Sequence, residues 1–155
     1  MRPGPGLAVA VLLLGAATAC GTSQPHEADT GSTVDEAVVD GADRAVCRAD
    51  AQAVPDATAD LPTGWSFPAA TTAYGIEHRD GVGTIVTAVT STPFDEVLDH
   101  LNHAEQGVHI TDGETEEDDA EANWSADGYT GRWTIRKSPT CAGETVIQVL
   151  STPAG

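Results

Sequence analysis

The stretch "STPFDEVLDHLNHAEQG", residues 91–107, predicts the clearest helix in the chain and decides the fold. Thr92 is positioned to cap the first turn, Pro93 suits the first helical position, and Gly107 is expected to end the helix. Apolar residues recur at the three- and four-residue spacing that places side chains on one helical face. These residues are Phe94, Val97, Leu98, Leu101 and Ala104.

Segments with the composition of β-strands lie on both sides of this helix. Two strands joined by a turn at residues 79–83 precede it, and three or four strands follow it. A single helix can bury its apolar stripe against one face of a mainly antiparallel sheet. We therefore expect one α+β domain over residues 46–155, with a sheet of about five strands. The segments are "TAYGIEH" (72–78), "GTIVTAVTS" (83–91), "VHITDG" (108–113), "EANWSA" (121–126), "YTGRWTIRK" (129–137) and "ETVIQVLST" (144–152).

The charge balance restricts the possible partners. The chain of 155 residues has a formal net charge of −17 at pH 7. It lacks the cationic surface that displaces counterions from nucleic-acid phosphates, so a nucleic-acid partner is not expected. The same charge disfavours electrostatic binding to anionic lipid headgroups. Attachment to a membrane would therefore need another device.

Residues 1–19 have the layout of a signal peptide for export. Arg2 and the amino terminus form a positive region, residues 7–14 are apolar, and small residues precede Cys20. The apolar run is shorter than the roughly 20 residues that a membrane-spanning helix needs. The motif "ATAC" followed by Gly21 resembles the signal of a bacterial lipoprotein. An ordinary signal peptide, with Cys20 incidental, is the alternative.

The lipoprotein resemblance implies a specific processing of the chain. Cleavage would leave Cys20 as the first mature residue, with a diacylglyceryl group on its sulfur. Two acyl chains suffice for stable anchoring to a membrane. The strand and helix layout, and the composition rich in Ala, Gly, Thr and Asp, are also similar to small uncharacterised domains of actinobacterial lipoproteins. This second similarity implies no activity.

Residues 20–45 are expected to form a lipidated amino terminus and an acidic tether. Small, polar and acidic residues dominate this segment and aromatic residues are absent. Such a composition buries too little surface to offset the entropy of ordering. By random-coil scaling the tether would reach on the order of 25–30 Å from the membrane.

The cysteine count agrees with lipidation. An exported protein with three cysteines would have one odd thiol. If Cys20 carries lipid, Cys47 and Cys141 remain as an even pair in an oxidising compartment, so we expect a disulfide between them. Two separate buried thiols are the alternative.

The polar face of the predicted helix is the best candidate for a chemical site. Glu96, Asp99, His100 and His103 fall within about a third of its circumference, and His109 could join them. Imidazole and carboxylate groups together suit zinc, copper or nickel. A plain solvated helix face is the alternative, and we expect no cofactor other than such a divalent metal.

Two other charged segments have simpler explanations. Residues 112–121, "DGETEEDDAE", suggest either calcium ligands or a solvated hairpin tip. Arg132 and Arg136 share a strand face with Thr134, where we expect them to pair with the chain's own carboxylates; a small site for an anion or an acidic partner is the alternative. The tryptophans at 65, 124 and 133 are expected in the core.

No catalytic motif occurs in the sequence, so we do not expect an enzyme. There is no GxSxG nucleophile motif, phosphate-binding loop or dinucleotide fingerprint. The sequence therefore predicts a lipid-anchored protein on the outer face of the cell membrane. Its domain would bind an envelope protein or a small ligand, or would handle a metal through the helix face.

Overall fold

The computed structural model describes residues 45–103 and 107–155. The predicted signal peptide and residues 20–44 of the predicted tether lie outside these described residues. Within the two described ranges, no helix has both the length and the apolar character that a bilayer crossing requires.

Six strands form one antiparallel sheet. Their order across the sheet is β1-β2-β6-β5-β4-β3, so β6 lies between β2 and β5. The last strand in the sequence therefore joins the hairpin formed before the helix to the strands formed after it. The bounds are β1 Thr71–Arg79, β2 Gly83–Thr90, β3 His109–Thr115, β4 Asp119–Ala126, β5 Tyr129–Lys137 and β6 Thr145–Pro153.

An antiparallel sheet with one short helix agrees with the predicted architecture, but the sheet has six strands where about five were expected. The sequence left open whether three or four strands follow the helix, and four do; β3, within the predicted segment 108–113 and just beyond it, is an edge strand whose residues 111–115 are all exposed. An exposed edge strand lacks the apolar alternation that marks a half-buried strand in a sequence. The acidic run 112–121 covers the end of β3, the connecting turn and the start of β4, so it forms a hairpin.

The helix α1 spans Phe94–Asn102 and is shorter than predicted. Its N-cap is Pro93, without a side-chain capping bond, so the prediction that Thr92 caps it is wrong. The Thr92 hydroxyl instead donates to the Ala69 carbonyl oxygen over 2.8 Å, which holds the loop before β1. His103 already has extended backbone angles, so Gly107 does not end the helix as predicted.

The apolar stripe of α1 packs on one face of the sheet, called here the inner face. Phe94, Val97 and Leu101 are buried, and Leu98 is half-buried, as the helical spacing predicts. Ala104 lies outside the described residues. Residues of four strands complete this core. They are Val86 and Ala88, Ala120 and Ala122, Ile135, and Ile147 and Val149.

Three tryptophans fill the remaining space of the core. Trp65, Trp124 and Trp133 are 8%, 2% and 1% exposed, which confirms their predicted location. The Trp65 and Trp124 rings lie 5.2 Å apart between centroids. Gly131 makes room for Trp124, because a side chain at that position would collide with the ring and with the Leu150 carbonyl.

A disulfide fastens the beginning of the described chain to the loop between β5 and β6. Cys47 and Cys141 are 94 residues apart in sequence, and their Cα atoms lie 5.6 Å apart. The predicted pairing is therefore confirmed. Next to it, the Arg48 backbone N–H donates to Glu144 Oε2 over 2.8 Å. The Arg48 side chain donates to the Ala70 carbonyl over the same distance.

Candidate functional site

An open cleft of about 880 Å³ lies beside α1, and the four residues of the predicted metal site line it. We call it the helix cleft. Glu96, Asp99, His100 and His103 share its wall with Asp95 of the first helical turn. The opposite wall comes from Gly64 and Ser66, in the loop before β1. The helical spacing alone accounts for the first group, because residues three and four apart lie on one helical face.

His100 is held against the opposite wall of the cleft. Its Nε2 lies 3.0 Å from the carbonyl oxygen of Ser66. A carbonyl oxygen only accepts, so this contact requires the proton to be on Nε2. In this arrangement a metal could not bind Nε2 unless the hydrogen bond broke.

His103 is oriented by the residue one turn earlier in the helix. Its Nδ1 lies 2.6 Å from the backbone oxygen of Asp99 and 3.6 Å from the carboxylate of the same residue. The short contact places the proton on Nδ1. Orientation of an imidazole through one nitrogen is the usual arrangement when the other nitrogen binds a metal.

The four residues share a cleft without converging on one point. Among residues 45–103 and 107–155, the single group of three or more His, Cys, Asp or Glu donor atoms within 4.8 Å of one another is Cys47, Cys141 and Glu144. The two sulfurs of that group form the disulfide and do not act as thiolate ligands. His109, at the start of β3, does not line the helix cleft. The arrangement therefore supplies two imidazoles and three carboxylates on an open wall, not a closed metal cage.

The basic residues of β5 pair with acidic residues of the β3–β4 hairpin. Arg132 forms an ion pair with Glu121, and Arg136 Nη2 lies 3.5 Å from Asp119 Oδ2. This result confirms the predicted cross-strand pairing. Lys137 donates to Asp118 Oδ1 over 3.0 Å, and that hydrogen bond raises the pKa of the lysine. The acidic run is thus partly neutralised by its neighbouring strand.

Two smaller clefts lie on the β4 and β5 side of the molecule. One, of about 170 Å³, has three carboxylates in its wall, those of Asp112, Glu114 and Glu121. The other, of about 570 Å³, lies between the β1–β2 turn and the β4–β5 hairpin and has no carboxylate in its wall. The sequence did not predict this cleft, because its residues come from distant segments and form no motif.

The described residues form a small, mostly β domain with one helix, whose clefts include an acidic one that contains histidines and one without a carboxylate in its wall. No family model matches the chain, and neither a curated protein nor a solved structure matches it.

Proposed function

We propose that this protein is a cell-envelope lipoprotein, anchored through Cys20 to the outer face of the cell membrane, whose α+β domain binds an extracytoplasmic ligand. The single observation that carries the proposal is the disulfide between Cys47 and Cys141. It uses two of the three cysteines and leaves Cys20 as the one cysteine outside it. Disulfides persist in oxidising compartments, which supports export of the chain.

The net charge supports a lipid anchor over electrostatic attachment. A chain with a charge of −17 is repelled by anionic lipid headgroups. Two acyl chains would supply the binding that the charge cannot, at about 0.8 kcal/mol for each buried methylene. Small ligands bind in clefts, so the clefts of this domain support a binding role.

The anchor is tested by metabolic labelling with an alkyne-tagged palmitate. We expect label and membrane association in the wild-type chain, and neither in Cys20→Ala. Cys47→Ala/Cys141→Ala is the matched control, because it also removes cysteines but keeps the proposed lipid site. Equal label in the wild type and in Cys20→Ala would refute the anchor.

A second candidate function is metal handling through the helix cleft. The observation that favours it is the common location of Glu96, Asp99, His100 and His103 in one cleft wall. His103 is held through Nδ1 by Asp99, one turn earlier in the helix, and orientation through one nitrogen is the usual arrangement for a metal-binding histidine. Binding by two or three such groups on an open surface would be weaker than in a closed tetrahedral site.

Calorimetric titration with Zn²⁺ or Cu²⁺ tests this candidate. If the helix cleft binds metal, His103→Ala weakens binding at least about tenfold, because one of few ligands is lost. His109→Ala is the matched control, since it removes an exposed histidine that does not line the cleft. Equal affinity in the two variants would assign any binding to other groups and reject the cleft.

A further inference from the structure

The cleft of about 570 Å³ between the β1–β2 turn and the β4–β5 hairpin differs chemically from the rest of this acidic protein. We call it the neutral cleft. Its wall contains four hydroxyls, one amide and one guanidinium, contributed by Thr111, Ser125, Thr130, Thr152, Asn123 and Arg132. No Asp or Glu lines it, although the chain has 24 acidic residues against 7 basic ones.

The electrostatics of the neutral cleft favour an uncharged ligand. The one cation in its wall, Arg132, forms an ion pair with Glu121, so its charge is already balanced. The helix cleft and the cleft of about 170 Å³ each have three carboxylates in their walls, and the second shares Asn123 and Arg132 with the neutral cleft. An anionic ligand would be repelled by the net charge of −17, and a cationic one would find the carboxylate-lined clefts better matched.

The hydrogen-bonding groups of the neutral cleft match a ligand that both donates and accepts. The Thr152 hydroxyl donates to the Val82 carbonyl over 2.5 Å, and the Thr111 hydroxyl donates to the Asn123 backbone oxygen over 3.3 Å. Those two hydroxyls therefore offer lone pairs to a ligand. The Asn123 amide offers two donors and an acceptor. A polyhydroxylated ligand, whose hydroxyls act in both senses, meets this combination.

The apolar part of the wall suits the C–H face of a sugar ring. The half-buried Val82 contributes most of this part, because Leu150 is only 4% exposed; both pack with Ile85 in a small apolar cluster on the outer face of the sheet. The residues lie mainly on strands β3 to β6, which hold them in fixed positions. The volume also falls in the range of about 300–1,000 Å³ typical of small-molecule sites.

We propose that the neutral cleft binds a short neutral saccharide. The proposal names a ligand class for the binding role inferred above, and it does not depend on the lipid anchor. Labelling at Cys20 tests the anchor, and sugar titration tests the cleft, so either idea can fail without the other.

The experiment uses the exported full chain carrying Cys20→Ala. The chain is titrated separately with maltose and with N,N′-diacetylchitobiose, and backbone amide shifts and tryptophan fluorescence are followed. Tryptophan fluorescence checks that the fold is kept, because the Trp124 ring is 2% exposed and packs in the core. We expect saturable shifts at Asn123, Thr130 and Gly131 with at least one of the two sugars, with a Kd in roughly the millimolar range.

Matched variants separate the cleft from unspecific effects. Asn123 and Thr130 are exposed, so Asn123→Ala and Thr130→Val are expected to fold normally. Each should weaken binding about 3- to 10-fold, the loss expected for one hydrogen bond. Asn102→Ala removes an exposed asparagine at the end of α1 and should leave the affinity unchanged.

Three results would overturn the proposal. One is the absence of saturable shifts with both sugars up to about 100 mM, which corresponds to no useful affinity. Another is an Asn123→Ala variant that binds as well as Asn102→Ala. The third is tighter binding of glucuronate than of either neutral sugar, because that would mean that the ligand is an anion recognised by Arg132.

Discussion

At β4 and β5 the two faces of the sheet are stabilised by different interactions, although the same strands supply both. On the inner face, α1 and the loop before β1 cover aromatic and aliphatic side chains, and Trp133 and Ile135 of β5 are buried there. On the outer face of the same strand, Arg132 and Arg136 pair with carboxylates of β4. Alternate residues of one strand therefore have separate roles, packing on one side and surface chemistry on the other. At β4 and β5 we therefore expect substitutions on the inner face to lower stability most, and those on the outer face to change binding; on β2 and β6 the outer face is buried too, with Ile85 and Leu150 3% and 4% exposed.

Trp133→Ala is the strongest test of this difference. The side chain is 1% exposed and lies at the centre of the core, so its removal leaves a cavity. We expect a loss of about 3–5 kcal/mol in the free energy of unfolding, measured by urea denaturation followed by far-ultraviolet circular dichroism. Thr134→Ala, the next residue on the opposite face, is the control and should cost about 1 kcal/mol or less. Similar losses in the two variants would contradict the assignment of stability to the inner face.

Removing the disulfide should have the next largest effect, by a different mechanism. The bond closes a loop of 94 residues, so it restricts the unfolded chain more than it adds contacts to the folded one. We expect Cys47→Ala/Cys141→Ala to lose about 2–4 kcal/mol in the same denaturation experiment. Its amide spectrum should keep the native dispersion of the sheet. Collapse of that dispersion would show instead that the disulfide holds the folded arrangement of the strands.

Much of the fold could be predicted because its signals are local. The helical spacing predicted the buried residues Phe94, Val97 and Leu101, and strand alternation predicted the pairing of the β5 arginines. The cysteine count predicted the disulfide. Each of these inferences depends on the periodicity of the sequence or on a count of its cysteines. None of them requires knowledge of tertiary contacts.

The parts that could not be predicted depend on contacts between distant segments. The Thr92 hydroxyl bonds Ala69, a partner 23 residues away, instead of capping α1. The number of strands stayed open for the same reason, because the edge strand β3 is held by its pairing with β4 and has no fully buried residue. The same holds for the sites. The histidines of the helix cleft were predicted, but the wall formed by Gly64 and Ser66 was not, because the irregular segment before β1 carries no periodicity.

A double-mutant cycle on Arg132 and Glu121 measures what the outer-face ion pairs contribute. Both side chains are less than one-third exposed, at 20% and 30%. We expect Arg132→Gln and Glu121→Gln to show a coupling free energy of about 0.5–1 kcal/mol that falls in high salt. Each substitution also changes the net charge of a strongly negative chain. The cycle cancels this general effect on stability, because it is the same in the single variant and in the double variant.

The matched pair for this cycle is Arg136 and Asp119, which join the same two strands. Their side chains are both 37% exposed, and the nitrogen and oxygen lie 3.5 Å apart. We expect a smaller coupling there, since exposure to water screens the attraction. A larger coupling for the more exposed pair would contradict the view that partial burial determines the strength of these contacts.

The smallest expected effect concerns Tyr74 on β1, the strand at the other edge of the sheet. Burial raises the pKa of this phenol, and a contact with the backbone of Val46 offsets part of the rise. The folded state therefore holds the phenol proton more tightly than the unfolded chain does. This contribution to stability is fully present below the unfolded value of about 10 and is lost as pH rises through the folded pKa.

Tyr74→Phe should therefore flatten the alkaline decline in the free energy of unfolding. One titrating group can contribute a slope of at most about 1.4 kcal/mol per pH unit, so the difference is small and is sought between about pH 9 and pH 11 by urea denaturation. Lys137, whose pKa is also raised, titrates in both chains and acts with the same sign, so it cancels in the comparison. An equal slope in the two chains would mean that Tyr74 is as solvated as in the unfolded state.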